Sequence, residues 1–169
     1  MRRCAVWMVL MVLCLTAGCR GSAPAAEPVG EQFTCTIQAL YRDLAVEGTL
    51  TRATAGTLTL EFDKPDTLKG LTVRWDGDTV KLSMLGLDFS IDPNTVPESA
   101  LGKEIIAALD TALRGEGERK LTDGKLVVAG NGANGAYELV CDGNSGVPLS
   151  LSVPSLPLTV TFSNFQSKS

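Results

Sequence analysis

The sequence predicts a mainly β domain of the α+β class, an antiparallel sheet with one amphipathic helix inserted. Three observations carry this. Apolar residues alternate with period two from residue 33 to 91 and again from 125 to 165, one stretch between 97 and 114 has helical periodicity, and short turn clusters punctuate the rest. An antiparallel meander with one face covered by a single helix is the economical arrangement of those parts.

The elements follow in order. Phe33, Cys35 and Ile37 share one face of a first strand, with Thr34, Thr36 and Gln38 opposite. Leu44, Val46 and Leu50 mark a second strand. A turn near residues 53–56 leads to Leu58, Leu60 and Phe62. Leu71, Val73 and Trp75 run into Asp76-Gly77, a two-residue hairpin signal because both turn positions need φ > 0. Val80, Leu82 and Met84 return. The apolar phase then slips by one to Leu85, Leu87, Phe89 and Ile91, which suggests a β-bulge near Gly86 or, alternatively, two short strands.

Between Pro97 and Arg114, residues Leu101, Ile105, Ile106, Ala108, Leu109, Ala112 and Leu113 fall on one broad helical face. Lys103, Glu104, Asp110, Thr111 and Arg114 fall on the other. Thr95 and Glu98 fit a capping box, and Gly115 is a C-terminal stop. Strands resume at 125–129, 136–141, 147–153 and 158–165, joined by Gly/Asn-rich turns. Pro154 and Pro157 make their connection an edge, bulge or bend. The expected count is about nine strands, with the helix after the sixth.

Ahead of this domain, Arg2 and Arg3 precede the apolar run 5–15 and then Thr16-Ala17-Gly18-Cys19. A basic start and a short apolar run ending in small residues is an export signal, too short to span as a mature helix. The small-small-Cys ending resembles the bacterial lipobox. It implies that Cys19 receives diacylglycerol, carries palmitate-type acyl chains and becomes the first mature residue; the alternative is an ordinary signal with a chance cysteine. Residues 19–31, rich in Gly, Ser, Ala and Pro, read as a flexible tether, and 32–166 as one domain. The expected location is the extracytoplasmic face of a bacterial cell membrane, or an outer membrane in a diderm.

Arg2 and Arg3 are the only charges among residues 1–18, so their removal takes the formal charge from −4 to −6. That argues against nucleic acid and against docking on anionic lipid, both of which need clustered cations. Attachment falls to the acyl chains, where two suffice and one does not. The chain has no histidine, the commonest general base and zinc ligand. Serines at 83, 90 and 99 therefore lack an activating base, and the aspartates at 63, 66, 76 and 78 sit where turns place them. Gly130-Asn131-Gly132-Ala133-Asn134-Gly135 looks like a phosphate loop but lacks its Lys-Ser/Thr ending, and reads as a flexible hairpin loop. No enzyme, cofactor or metal site is expected.

The run from Leu60-Glu61-Phe62-Asp63-Lys64-Pro65 to Asp76-Gly77-Asp78-Thr79-Val80 resembles the LolA/LolB-type lipoprotein-carrier superfamily. The tail from Asp142 to Leu151, finishing at Phe162-Ser163-Asn164-Phe165, is similar to the closing hairpin of that group. So is an acylated cysteine followed by one domain of this size, as in LolB-like and LppX-like members. The resemblance spans most of residues 33–165. It implies a strongly curved antiparallel half-barrel, capped by helix, whose concave face holds the acyl chains of lipids or lipoproteins. Leu82, Met84, Leu87 and Phe89 on strands, with Leu101, Ile105 and Leu109 on the helix, would line it. Aromatic residues are sparse and one helix replaces several. A tethered protein also cannot shuttle between membranes. GerS-type germination lipoproteins resemble the same fold and act by binding a protein, so the rival expectation is a packed interior and a protein partner.

Cys35 and Cys141 are the thiols left in the exported domain, and both fall on the apolar phase of their strands. An oxidising compartment favours a disulfide, closing a loop worth about 4–5 kcal/mol in the chain-entropy model. The alternative is two buried free thiols.

Overall fold

The computed structural model describes residues 32–97 and 100–167. The expected export signal, Cys19 anchor and tether, and Glu98 of the expected capping box, lie outside the described residues.

Eleven strands form one sheet: β1 (Phe33–Tyr41), β2 (Leu44–Arg52), β3 (Thr57–Lys64), β4 (Thr72–Asp76), β5 (Val80–Met84), β6 (Leu87–Ile91), β7 (Glu118–Thr122), β8 (Lys125–Gly132), β9 (Gly135–Asp142), β10 (Pro148–Val153) and β11 (Leu158–Ser167). Their order is β6-β5-β4-β3-β2-β1-β11-β10-β9-β8-β7, every neighbouring pair antiparallel. Two chain-sequential meanders thus join along β1 and β11. The helix α1 (Leu101–Leu113) carries the chain between the two free edges, from β6 to β7.

The sheet is open and bends around that helix. α1 packs on β3, β8 and β9. Six strand spacings of about 4.8 Å, roughly 29 Å along the sheet, separate β3 from β8. A helix of 13 residues is only about 20 Å long, so the sheet must curl toward it. Register shifts supply the bends, in β1 against β11, β2 against β3 and β10 against β9. The β2 shift falls at Gly48, where any Cβ would collide with the Glu61 carbonyl.

Several expectations are refined. The strand count is eleven among the described residues, and β7 (Glu-Arg-Lys-Leu-Thr) went unread because an exposed edge strand needs no apolar alternation. The phase slip is two short strands: β5 and β6 form a hairpin through Leu85 and Gly86, at φ 52° and 80°. The preceding turn is Gly77-Asp78, one residue later than expected, with positive φ at Gly77 alone. Thr95 closes a short 3₁₀ turn by donating to the Asp92 carbonyl, and the N-cap of α1 is Ala100 without a side-chain bond. Gly115 does end the helix, at φ 76°. Half of the Gly/Asn run, residues 130–132, belongs to β8, followed by a two-residue turn at Ala133-Asn134 and the start of β9 at Gly135.

The helix faces also divide differently. Ile105, Ala108, Leu109 and Ala112 enter the core with Leu50, Leu58, Leu60, Val128 and Leu139. Gly102 is buried as well, because the Trp75 indole lies where a side chain would be. Glu104, expected in solvent, is buried, and Asn134 Nδ2 of the β8–β9 turn donates to its Oε1 at 2.5 Å. Asp110 is also drawn inward. It meets the fully buried Arg52 at 2.5 Å and accepts the Gly56 N–H at 3.0 Å.

Cys35 and Cys141 are buried free thiols, which corrects the disulfide expectation. They lie on β1 and β9, with β11 and β10 between. Three strand spacings, roughly 14 Å along the sheet, exceed the roughly 7 Å between Cα atoms that a bridge tolerates. Burial pushes the Cys35 thiol up to about 12 and the Cys141 thiol up to about 11, as expected of small hydrophobes.

Candidate functional site

Facing residues of an antiparallel pair point to one side of the sheet, so the register assigns a face to each residue of the β5–β6 hairpin. Val80 faces Ile91, Leu82 faces Phe89 and Met84 faces Leu87. Val80 is in the core, which puts all six on the inner, helix-bearing side. Their burial then falls off outward. Val80 is 1 % exposed, Leu82 and Met84 are half-buried, and on the edge strand Phe89 is 59 % and Leu87 62 % exposed. Leu85, at the hairpin tip, is 89 % exposed. The apolar inner face therefore continues past the cover that α1 provides and meets solvent.

Four of the expected lining residues, Leu82, Met84, Leu87 and Phe89, are thus together on this uncovered wing. Leu101 is half-buried against the core at the near end of the helix. Ile105 and Leu109 stand apart from the four: they are 0 % and 2 % exposed and packed between helix and sheet. The space beneath the helix, bounded by Phe33, Leu109, Leu139, Cys141 and Pro148, is about 10 Å³. That is the volume of one water-sized probe, so this part of the interior is filled.

Sequence reasoning missed the polar fastening of the helix. Beyond Glu104–Asn134 and Asp110–Arg52, the edge-strand residue Arg119 donates from Nη2 to the Ala112 carbonyl, and the Ser155 hydroxyl donates to the Asn134 carbonyl. These contacts hold both ends of the helix on the sheet. Except for Arg119 and Ala112, seven residues apart, the partners lie far apart in sequence, and the one local signal was the acidic residue Glu104 in the first turn.

Comparison with known proteins adds the fold's relatives. No family model matches the chain, and no curated protein matches it. Among solved structures it is similar to a chain in the complex of the CwlD amidase from Clostridioides difficile with the GerS lipoprotein. Identity there is 17 %, over 97 % of this chain and 95 % of that one, with a TM-score of 0.55. A LolA superfamily protein, NE2245 from Nitrosomonas europaea, is 10 % identical over 85 % and 89 %, with a TM-score of 0.46. A DUF1329 family protein from Desulfovibrio piger is 11 % identical over 82 % and 86 %, with a TM-score of 0.47. The chain has the architecture that the resemblance implies, an open curved antiparallel sheet with a helix across its inner face, and shares its fold with the chain of the CwlD–GerS complex. The likeness is one of fold.

Proposed function

We propose that this is an exported lipoprotein, anchored through Cys19, that docks a protein partner on the apolar wing of β5 and β6 and performs no catalysis. The observation that carries the reading is where apolar surface is free. The space beneath the helix between Leu109, Phe33, Leu139 and Cys141 holds about 10 Å³, whereas small-molecule sites run to roughly 300–1,000 Å³. Leu87 and Phe89 meanwhile are more than half exposed on a sheet edge. Large apolar side chains clustered at an edge mark an interaction surface. The GerS lipoprotein, solved with an amidase, supports partner docking as a use of this architecture. A second reading, an acyl chain lying along the wing, is favoured by the purely apolar lining of Leu82, Met84, Leu87 and Phe89 on one face.

Photo-reactive residues placed at 87 and 89 of the membrane-anchored protein test both readings. Crosslinks to a discrete protein, absent when the probe is at Lys125 and lost on adding Leu82→Asp, are the expected result. Adducts to lipid alone would transfer the assignment to the second reading, and labelling equal to that at Lys125 would overturn both. For the anchor, Cys19→Ser is expected in the soluble fraction, because a net charge of −6 offers no other attachment. Persistent membrane association of that variant would end the lipoprotein assignment.

A further inference from the structure

The opposite face of the same wing is polar and holds an open groove of about 580 Å³ across β3, β4, β5 and β6. Phe89 borders the groove between Asp88 and Ser90, and register arranges the polar lining in two rows running across the strands. One row reads Thr59, Arg74, Lys81, Ser90, with Arg74 directly facing Lys81. The other reads Glu61, Thr72, Ser83, Asp88, with the Ser83 hydroxyl donating to Asp88 Oδ1 at 2.5 Å. Two residues along a strand separate the rows, roughly 7 Å.

Like charges directly opposite in a sheet repel, and sheets ordinarily avoid them or neutralise them with a neighbour. Here the neutralisation is incomplete. Lys81 Nζ lies 3.8 Å from Asp76 Oδ2, at the far end of ion-pair range. Arg74 makes no ion pair or side-chain hydrogen bond among the described residues. A paired guanidinium and ammonium in a protein of net charge −4 thus stand as a cationic island, flanked on both sides by hydroxyls.

We infer that this groove binds the oxyanion of a hydroxyl-bearing ligand, a sugar carrying a carboxylate or phosphate. The oxyanion bridges Arg74 and Lys81, where a planar fork and a point charge together satisfy its oxygens. Thr59 and Ser90 donate or accept at its flanks. Glu61, at the end of the second row and without an ion pair among the described residues, accepts from the sugar's hydroxyls about 7 Å away. The proposal concerns the face opposite the docking wing and stands or falls independently of it.

Titration of the mature Cys19→Ser protein with galacturonate, glucose 6-phosphate, inorganic phosphate and glucose, followed by backbone amide NMR shifts, tests it. Both charged sugars are expected to move the amides of residues 72–74 and 81–90, with glucose at least tenfold weaker. Arg74→Gln and Lys81→Gln, each at an exposed position, are expected to weaken binding at least tenfold and to leave the melting temperature equal or higher, since one of two opposed charges is gone. A response to inorganic phosphate as strong as to the sugars would overturn the sugar assignment. Charged sugars no better than glucose, or binding unchanged in Arg74→Gln, would overturn the site.

Discussion

Replacing Asp110 by alanine is expected to destabilise the domain by about 3–4 kcal/mol. Arg52 is wholly buried, and Asp110, 12 % exposed at its side chain, is its ionic partner at 2.5 Å. Deleting one member of a buried pair strands the other charge and typically costs about 3–5 kcal/mol. Two features of the site bear on that figure. The pair meets without hydrogen-bond alignment, and Arg52 Nε and Nη1 have no acceptor among the described residues, so the contact is electrostatically good but poorly satisfied, which lowers the cost. Asp110 also accepts the Gly56 N–H, and losing that bond adds about 1 kcal/mol. The double variant Arg52→Met/Asp110→Leu removes both charges and keeps apolar volume, so it is expected to recover most of the loss. Urea unfolding of the mature Cys19→Ser protein, its two single variants and the double forms a mutant cycle with a coupling energy of about 2 kcal/mol or more. A loss below about 0.5 kcal/mol for Asp110→Ala, or a double variant worse than both singles, would refute the role of this pair in seating the helix.

Three further outcomes are expected. Asp142 accepts first from the Ser145 N–H, then from the Ser145 hydroxyl and the Asn144 N–H, which holds its carboxyl below the ordinary value. A depressed carboxyl contributes stability above its unfolded pKa of about 3.9 and loses it as pH falls through the folded one, so the stability gap between wild type and Asp142→Ala should close below about pH 4 in melts across pH 2–7. Cys35 and Cys141 should resist alkylation at pH 8 in the folded protein and both take label once it is denatured without reductant; mass spectrometry showing no label after denaturation would restore the bridge. Leu85 holds φ 52° while 89 % exposed, so Leu85→Asn should stabilise by about 0.5–1 kcal/mol through the turn, read as a rise of a few degrees in Tm.

Local patterns were legible where burial depends on local periodicity. Phe33, Cys35 and Ile37 alternate into the core as read, and the stripe of Ile105, Ala108, Leu109 and Ala112 faces the sheet. What escaped depends on partners remote in the chain. Glu104 reads as a solvent residue until Asn134, thirty positions on, supplies its donor inside the fold. β7 has no apolar rhythm because its side chains lie on an exposed edge, and only pairing with β8 reveals it. Cys35 and Cys141 share the apolar phase, yet phase says nothing of the two strands between them. The opposition of Arg74 and Lys81 likewise exists only once the β4–β5 register is known.

The candidate wing shows the same division between pattern and placement. Leu82 and Phe89 carry the same alternation as Leu58 and Leu60, and nothing in that rhythm separates a core strand from an open one. The difference comes from coverage. One helix about 20 Å long and 10–12 Å wide must serve eleven strands whose edges lie roughly 48 Å apart along the sheet. Its fastenings to Arg52, Asn134 and Arg119 and its contact with Trp75 through Gly102 commit it to the strands from β4 round to β7. Such a helix cannot also reach β6. The exposure of Leu87 and Phe89 is therefore a consequence of how the helix is pinned, and a variant that loosens the pins, such as Asp110→Ala, should change exposure at the wing before it changes the sheet.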